Sequence, residues 1–191
     1  MSNKRTCLLA FVLSAVLGLG GCAGQAELTE TETNIHVINA ESALARGEYL
    51  EAAVEYRLAA LGTSRLETVR YAAETTFEFG RDEDAAAAIN HWAELAPDDR
   101  DVIVYQARLA LRADEPDAAV ANFIRFVELG EDRGDSLDRV SQVLMIDGSP
   151  DTALAAALAV SERFADSWKA QRLVSRVAMR ADDLNRSMEA A

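Results

Sequence analysis

The stretch "GRDEDAAAAINHWAELAP", residues 80–97, decides the fold of this chain. It opens with Gly80 and a short acidic run, continues as an alanine-rich segment, and ends at Pro97. Ile89 and Trp92 stand four and seven residues after Ala85, which is the spacing of one helix face. Acidic side chains favour the first turn of a helix, and proline cannot continue one. The stretch therefore predicts a helix that follows a glycine turn and ends before Pro97.

The same pattern recurs along the chain with a period of 33 or 34 residues. Its reference positions are Ala52, Ala85, Ala119 and Ala153, spaced by 33, 34 and 34 residues. Small residues stand twelve positions before each of them, at Ala40, Ala73, Ala107 and Ser141. Turn residues stand five positions before, at Gly47, Gly80, Asp114 and Gly148. Proline is rare and good helix formers dominate, so the pattern predicts an all-α chain built from repeats.

This pattern resembles the tetratricopeptide repeat (TPR) family, whose unit is a 34-residue helix-turn-helix. The resemblance implies an α-solenoid over residues 35–191, with about four repeats and a terminal capping helix pair. In that family the small positions let paired helices approach closely, and the glycine makes the turn between them. The alternative is an alanine-rich helical bundle whose periodicity is accidental.

The N-terminus has the features of an export signal. Lys4 and Arg5 precede an apolar run over residues 7–20, which is too short for a membrane-spanning helix. The sequence Leu19-Gly20-Gly21-Cys22 then resembles the bacterial lipobox. That resemblance implies cleavage after residue 21 and acylation of Cys22, and the small residues before Cys22 suit a narrow protease site. The alternatives are a transmembrane anchor or a cysteine beside an ordinary cleavage site.

A lipid anchor would fix where the mature chain resides. Residues 22–34 are polar and read as the lipidated cysteine followed by a flexible tether. Ala23 stands where the lipoprotein family places its inner-membrane retention aspartate, so the resemblance implies the periplasmic face of an outer membrane. Removal of the signal peptide would take away Lys4 and Arg5. The mature chain would then have 17 basic and 32 acidic residues, so its net charge would be −15. This charge repels phosphate backbones, so nucleic acid is not an expected partner.

The sequence offers no catalytic constellation. His36 and His91 are the only histidines, and their spacing matches no zinc motif. No phosphate-binding loop, serine elbow or HExxH motif occurs. We therefore expect a non-enzymatic chain without a cofactor or metal.

The TPR resemblance also implies a concave groove lined by the first helix of each repeat. The candidate partner-binding residues on this groove are Phe77, Leu111, Met145, Trp168, Arg172, Arg176 and Arg180. Matching positions of successive repeats predict three cross-repeat ion pairs, Glu74–Arg108, Glu78–Arg112 and Asp138–Arg172. The counterparts of Arg176 and Arg180 are uncharged, so these two arginines and Trp168 form a candidate site for an acidic or C-terminal segment of a partner. Their alternative is an exposed, solvated helix face.

Three functions remain open from the sequence. The first is a lipoprotein adaptor that holds another envelope protein, as similar proteins do for secretins, outer-membrane assembly and peptidoglycan enzymes. The second is an envelope protein that binds or hydrolyses a small molecule. The third is a structural piece of a longer repeat protein.

Overall fold

The computed structural model describes residues 28–79 and 81–181, and this part of the chain contains nine α-helices and no strand. The helices are α1 (Glu30–Arg46), α2 (Tyr49–Leu61), α3 (Leu66–Phe79), α4 (Asp82–Leu95), α5 (Arg100–Arg112), α6 (Pro116–Glu128), α7 (Arg133–Leu144), α8 (Pro150–Arg163) and α9 (Trp168–Arg180). The all-α prediction is confirmed, and α4 ends before Pro97 as the sequence predicts.

The helices form four successive pairs, α1–α2, α3–α4, α5–α6 and α7–α8. Each pair packs on the next, and α9 packs on both α7 and α8, where it covers the end of the last pair. This arrangement confirms the helix-turn-helix solenoid with four repeats. The second helix of the terminal pair falls on residues 182–191, outside the described residues.

The close approach of paired helices depends on the repeated small residues. All eight predicted positions are buried, and the most exposed of them, Ser141, is only 2% exposed. Larger side chains fill the space beside them, and Tyr56, Ile89, Trp92 and Phe123 are fully buried. A larger residue at a small position would force the helices apart, which explains why these positions repeat.

The three turns inside repeats that the structure describes, in the first, third and fourth repeats, share one backbone conformation. Gly47 and Gly148 adopt left-handed φ angles of 78° and 73°, and Asp114 adopts 61° at the equivalent place. Aspartate tolerates this region better than most residues do. Here the hydroxyls of Ser149 and Thr152 also donate hydrogen bonds to the Asp114 carboxylate, which ties the turn of the third repeat to the fourth.

The solenoid begins earlier than the sequence predicts. Its first helix starts at Glu30 instead of residue 35, so residues 30–34 belong to α1 and not to a tether. The reason is a capping box, in which the Thr29 side chain accepts from the Glu32 backbone and the Glu32 carboxylate accepts from the Thr29 backbone. Thr33, one residue on, is buried and donates to the Gly62 carbonyl.

The predicted signal peptide (residues 1–21) and Cys22 lie outside the described residues. Of the nine helices that the structure describes, none combines the length and the apolar composition needed to cross a bilayer.

Candidate functional site

The first helices of successive repeats, α3, α5 and α7, together with α9, form one face of the solenoid, here called the first-helix face. A buried carboxylate, Asp147, lies beside α5 of this face, in the turn between α7 and α8. Its two oxygens accept from Arg108 Nε at 2.7 Å and Arg112 Nε at 3.4 Å. Asp147 therefore joins the third repeat to the turn of the fourth.

Phe77 lies beneath these two arginines. The guanidinium carbons of Arg108 and Arg112 stand 4.2 and 3.7 Å from the centre of the Phe77 ring. Phe77 is consequently only 1% exposed, and so is Leu111, whose Cβ lies against Gly148. The prediction that Phe77 and Leu111 contact a partner is wrong, because both side chains support the face from below.

Two of the three predicted ion pairs are shifted by one helical turn. Arg108 pairs with Glu78 rather than Glu74, at 3.6 Å, and Arg112 pairs with Asp82 rather than Glu78, at 3.1 Å. Glu74 pairs instead with Arg70 of its own helix. The observed partners are 30 residues apart instead of 34, so α3 and α5 face each other with an offset of about one turn.

The third predicted pair is confirmed. Arg172 Nη2 lies 2.5 Å from Asp138 Oδ1, and Lys169 also binds Asp138, at 2.9 Å. The hydrogen bond from Lys169, and then that from Arg172, holds the pKa of Asp138 below its ordinary value. The Arg172 guanidinium also lies 4.9 Å from the centre of the Trp168 ring, which orients that exposed indole.

Arg180 does not remain unpaired as the sequence suggests. Its guanidinium donates to the backbone carbonyls of Leu144, Asp147 and Gly148, the last at 2.7 Å. The Leu144 carbonyl is at the C-terminal end of α7, where carbonyls lack helical partners and a cation is favourable, and the other two carbonyls belong to the turn before α8. Arg180 is therefore a structural clamp, and its proposed role as a ligand anchor is corrected. The repeat register predicts side-chain partners only, so it does not reveal these backbone acceptors.

Arg176 is the one predicted cation that is exposed and makes no hydrogen bond or ion pair within the described part of the chain. It lies on one face of α9 between Trp168, which is 65% exposed, and Met179, which is 63% exposed. The clamp made by Arg180 brings the end of α9 to the end of α7, where Met145 and Ile146 are exposed. We call the set Trp168, Arg172, Arg176, Met179, Met145 and Ile146 the α9 surface.

The α9 surface is thus more apolar than the sequence predicts. Of the three arginines predicted on α9, Arg180 is a clamp, Arg172 is paired with Asp138, and Arg176 has no partner among the described residues. Four of its six members are large apolar side chains that are at least 36% exposed. Clusters of exposed apolar side chains beside an unpaired arginine are typical of protein-interaction surfaces.

The sequence does not predict two features of the molecule. One is the buried Asp147: its position before Gly-Ser-Pro indicates a turn, but its burial depends on how the repeats stack. An exposed stacked pair also occurs at the other end of the chain, where the Tyr49 and Phe79 rings lie 5.1 Å apart. Among residues 28–79 and 81–181, no group of histidine, cysteine, aspartate and glutamate side chains is placed to hold a metal ion.

Comparison with solved structures agrees with this architecture. The chain resembles the structure titled "Crystal structure of MamA protein", a TPR-containing protein, with a TM-score of 0.51 and 16% sequence identity. The match covers 85% of this chain and 89% of MamA. At this identity the likeness shows the fold alone, which is a TPR-like solenoid. No protein-family model matches the chain, and no curated protein sequence matches it.

Proposed function

We propose that this chain is a non-catalytic adaptor, anchored by a lipid at Cys22 to the periplasmic face of an outer membrane, that holds another envelope protein. The observation that carries the proposal is the α9 surface, where Trp168, Arg176 and Met179 are exposed along one helix face. The TPR-like fold supports it, because stacked helix pairs offer extended surfaces to protein segments.

The chemistry of the α9 surface defines the kind of segment that it would bind. Trp168 at one end and Met179 with Ile146 at the other end can each cover an apolar side chain. Arg176 between them can donate two parallel hydrogen bonds to one carboxylate. The partner segment that fits is therefore apolar with a single acidic residue or a C-terminal carboxylate, and not a strongly acidic one.

Affinity capture from envelope extracts tests the proposal. Trp168→Ala/Met179→Ala and Arg176→Glu should each reduce recovery of the main partner about tenfold, because truncating an interface anchor typically costs over 1 kcal/mol. Arg139→Glu is the matched control, since Arg139 is exposed on α7 outside the α9 surface. Equal recovery by the wild type and all three variants, with unchanged circular dichroism, would refute the α9 surface as the binding site.

A further inference from the structure

The second helices of the repeats form a second line of contacts, and this line is interrupted in the middle. Within the described residues α2 packs on α4 and α6 packs on α8, but α4 and α6 have no comparable packing. We call this interruption the open seam. Helix α5 still packs against both α4 and α6, so the solenoid continues beneath it.

The repeat register shows one difference between the first seam and the open seam. Arg57 of α2 forms an ion pair with Asp84 of α4 at 3.0 Å, which spans the first seam. The equivalent positions one repeat later are Asn90, 33 residues after Arg57, and Ala118, 34 residues after Asp84. A short amide and a methyl group cannot bridge the two helices, and both residues are exposed.

The open seam leaves a cleft of about 480 Å³. Its floor is Leu109, Ala110 and Ala113 at the end of α5, and its walls carry Asn90, Gln106 and Asn122. Clefts of this volume accommodate several side chains. Asn90 and Gln106 make no hydrogen bond within the described residues, so their amides can each offer a donor and an acceptor to a ligand.

The rim of the cleft is acidic. Glu83 of α4 and Glu115 before α6 line it, both are exposed, and neither forms an ion pair with a described residue. Asp82 also lines the rim but is paired with Arg112. An apolar floor below two unpaired carboxylates is complementary to a segment that carries both apolar and basic side chains.

We propose that the open seam binds an extended basic segment of a protein partner. Its apolar side chains would pack on Leu109 and Ala110, its lysines or arginines would pair with Glu83 and Glu115, and its backbone would bond to the amides of the walls. This site is separate from the α9 surface, so the adaptor would hold two segments at once.

A short fluorescein-labelled peptide that alternates lysine with leucine is the probe, and anisotropy is the measurement. The full mature chain should bind it at least tenfold more tightly than the same peptide with glutamate in place of lysine. The variant Asn90→Arg/Ala118→Asp rebuilds the ion pair of the first seam. It should close the cleft and weaken binding of the basic peptide at least tenfold, without lowering the melting temperature.

Charge variants separate the site from general attraction to an acidic protein. Glu83→Gln/Glu115→Gln should weaken binding about fivefold, whereas Asp151→Asn/Glu162→Gln, which removes two exposed charges on α8, should not. Trp168→Ala should leave binding unchanged, so failure of the α9 surface and failure of this site are distinguishable. Absence of binding, equal binding of both peptides, or equal effects of the two charge variants would overturn the proposal.

Discussion

Arg108 Nε donates to Asp147 Oδ2 across 2.7 Å, and both side chains are largely covered, at 16% and 6% exposed. The pair joins α5 of the third repeat to the turn of the fourth, and Arg112 binds the other oxygen of the same carboxylate. Among the ion pairs of the described residues, Asp147 is the most covered carboxylate. Without it, Arg108 and Arg112 would keep only Glu78 and Asp82, which are about half exposed.

Removing the Asp147 carboxylate should destabilise the solenoid clearly. We expect Asp147→Ala to lower the free energy of unfolding by about 1–3 kcal/mol, since it removes the covered carboxylate partner of both Arg108 and Arg112. Asp101→Ala is the control, because Asp101 forms an exposed pair with Arg70 and should cost about 0–1 kcal/mol. Urea unfolding followed by circular dichroism measures both. Equal losses of unfolding free energy in the two variants would show that the covered ion pairs of Asp147 stabilise the fold no more than an exposed pair does.

The repeat register makes a prediction about packing within one helix. Ala119 is fully buried where α6 approaches its neighbours, whereas Ala121 on the same helix is exposed. Ala119→Leu should destabilise the fold by about 1–3 kcal/mol, because the helices cannot separate freely. Ala121→Leu should leave the melting temperature nearly unchanged. Similar shifts in both variants would argue against the stacking of helix pairs.

The stability supplied by Asp138 should disappear in acid. Its pKa is lowered first by the hydrogen bond from Lys169 and then by that from Arg172, so folding favours the ionised carboxylate. The stabilisation is present above the ordinary pKa of 3.8 and is lost as the pH falls through the lower pKa of the folded state. The stability difference between the wild type and Asp138→Asn should therefore shrink in this range.

Direct titration of the Asp138 carboxyl carbon by NMR checks the cause. Lys169→Met should bring the pKa of Asp138 closer to its ordinary value. A pKa that does not change in Lys169→Met would contradict the assigned hydrogen bond.

Lipidation of Cys22 remains a prediction from the sequence. Cys22→Ser should release the protein from the membrane fraction or leave it uncleaved, because a hydroxyl cannot carry the thioether-linked lipid. Intact mass and fractionation measure the outcome. A variant of mature mass that still sediments with outer membrane would place the anchor elsewhere.

The sequence predicts the solenoid well because its signals are local and repeated. Alanines at a fixed period report where helices touch, and the glycines report a backbone conformation, which Asp114 adopts as well. The ion pairs are harder to predict, since they depend on the offset between neighbouring first helices. That offset moves Arg108 from Glu74 to Glu78, and nothing in the period of 33 or 34 reveals it.

The exposure of some candidate site residues was predicted from the sequence, but their contacts were not. Trp168, Arg176 and Met145 are exposed as expected. Arg180, however, binds backbone carbonyl groups, whose positions cannot be read from residue identities. Phe77 is buried under Arg112 of the next repeat, and Leu111 is buried against the turn at Gly148 of the repeat that follows its own. Both are tertiary effects.

The open seam between α4 and α6 has a mechanical consequence. Elsewhere two lines of contact resist bending of the solenoid, but here the contacts made by α5 act alone, like a hinge line. The helix pairs before and after this point should therefore tilt relative to each other more easily than they stretch. If the proposed adaptor is held at its α1 end and loaded at α9, tension would change the curvature of the solenoid at this joint, and the α9 surface would keep its shape.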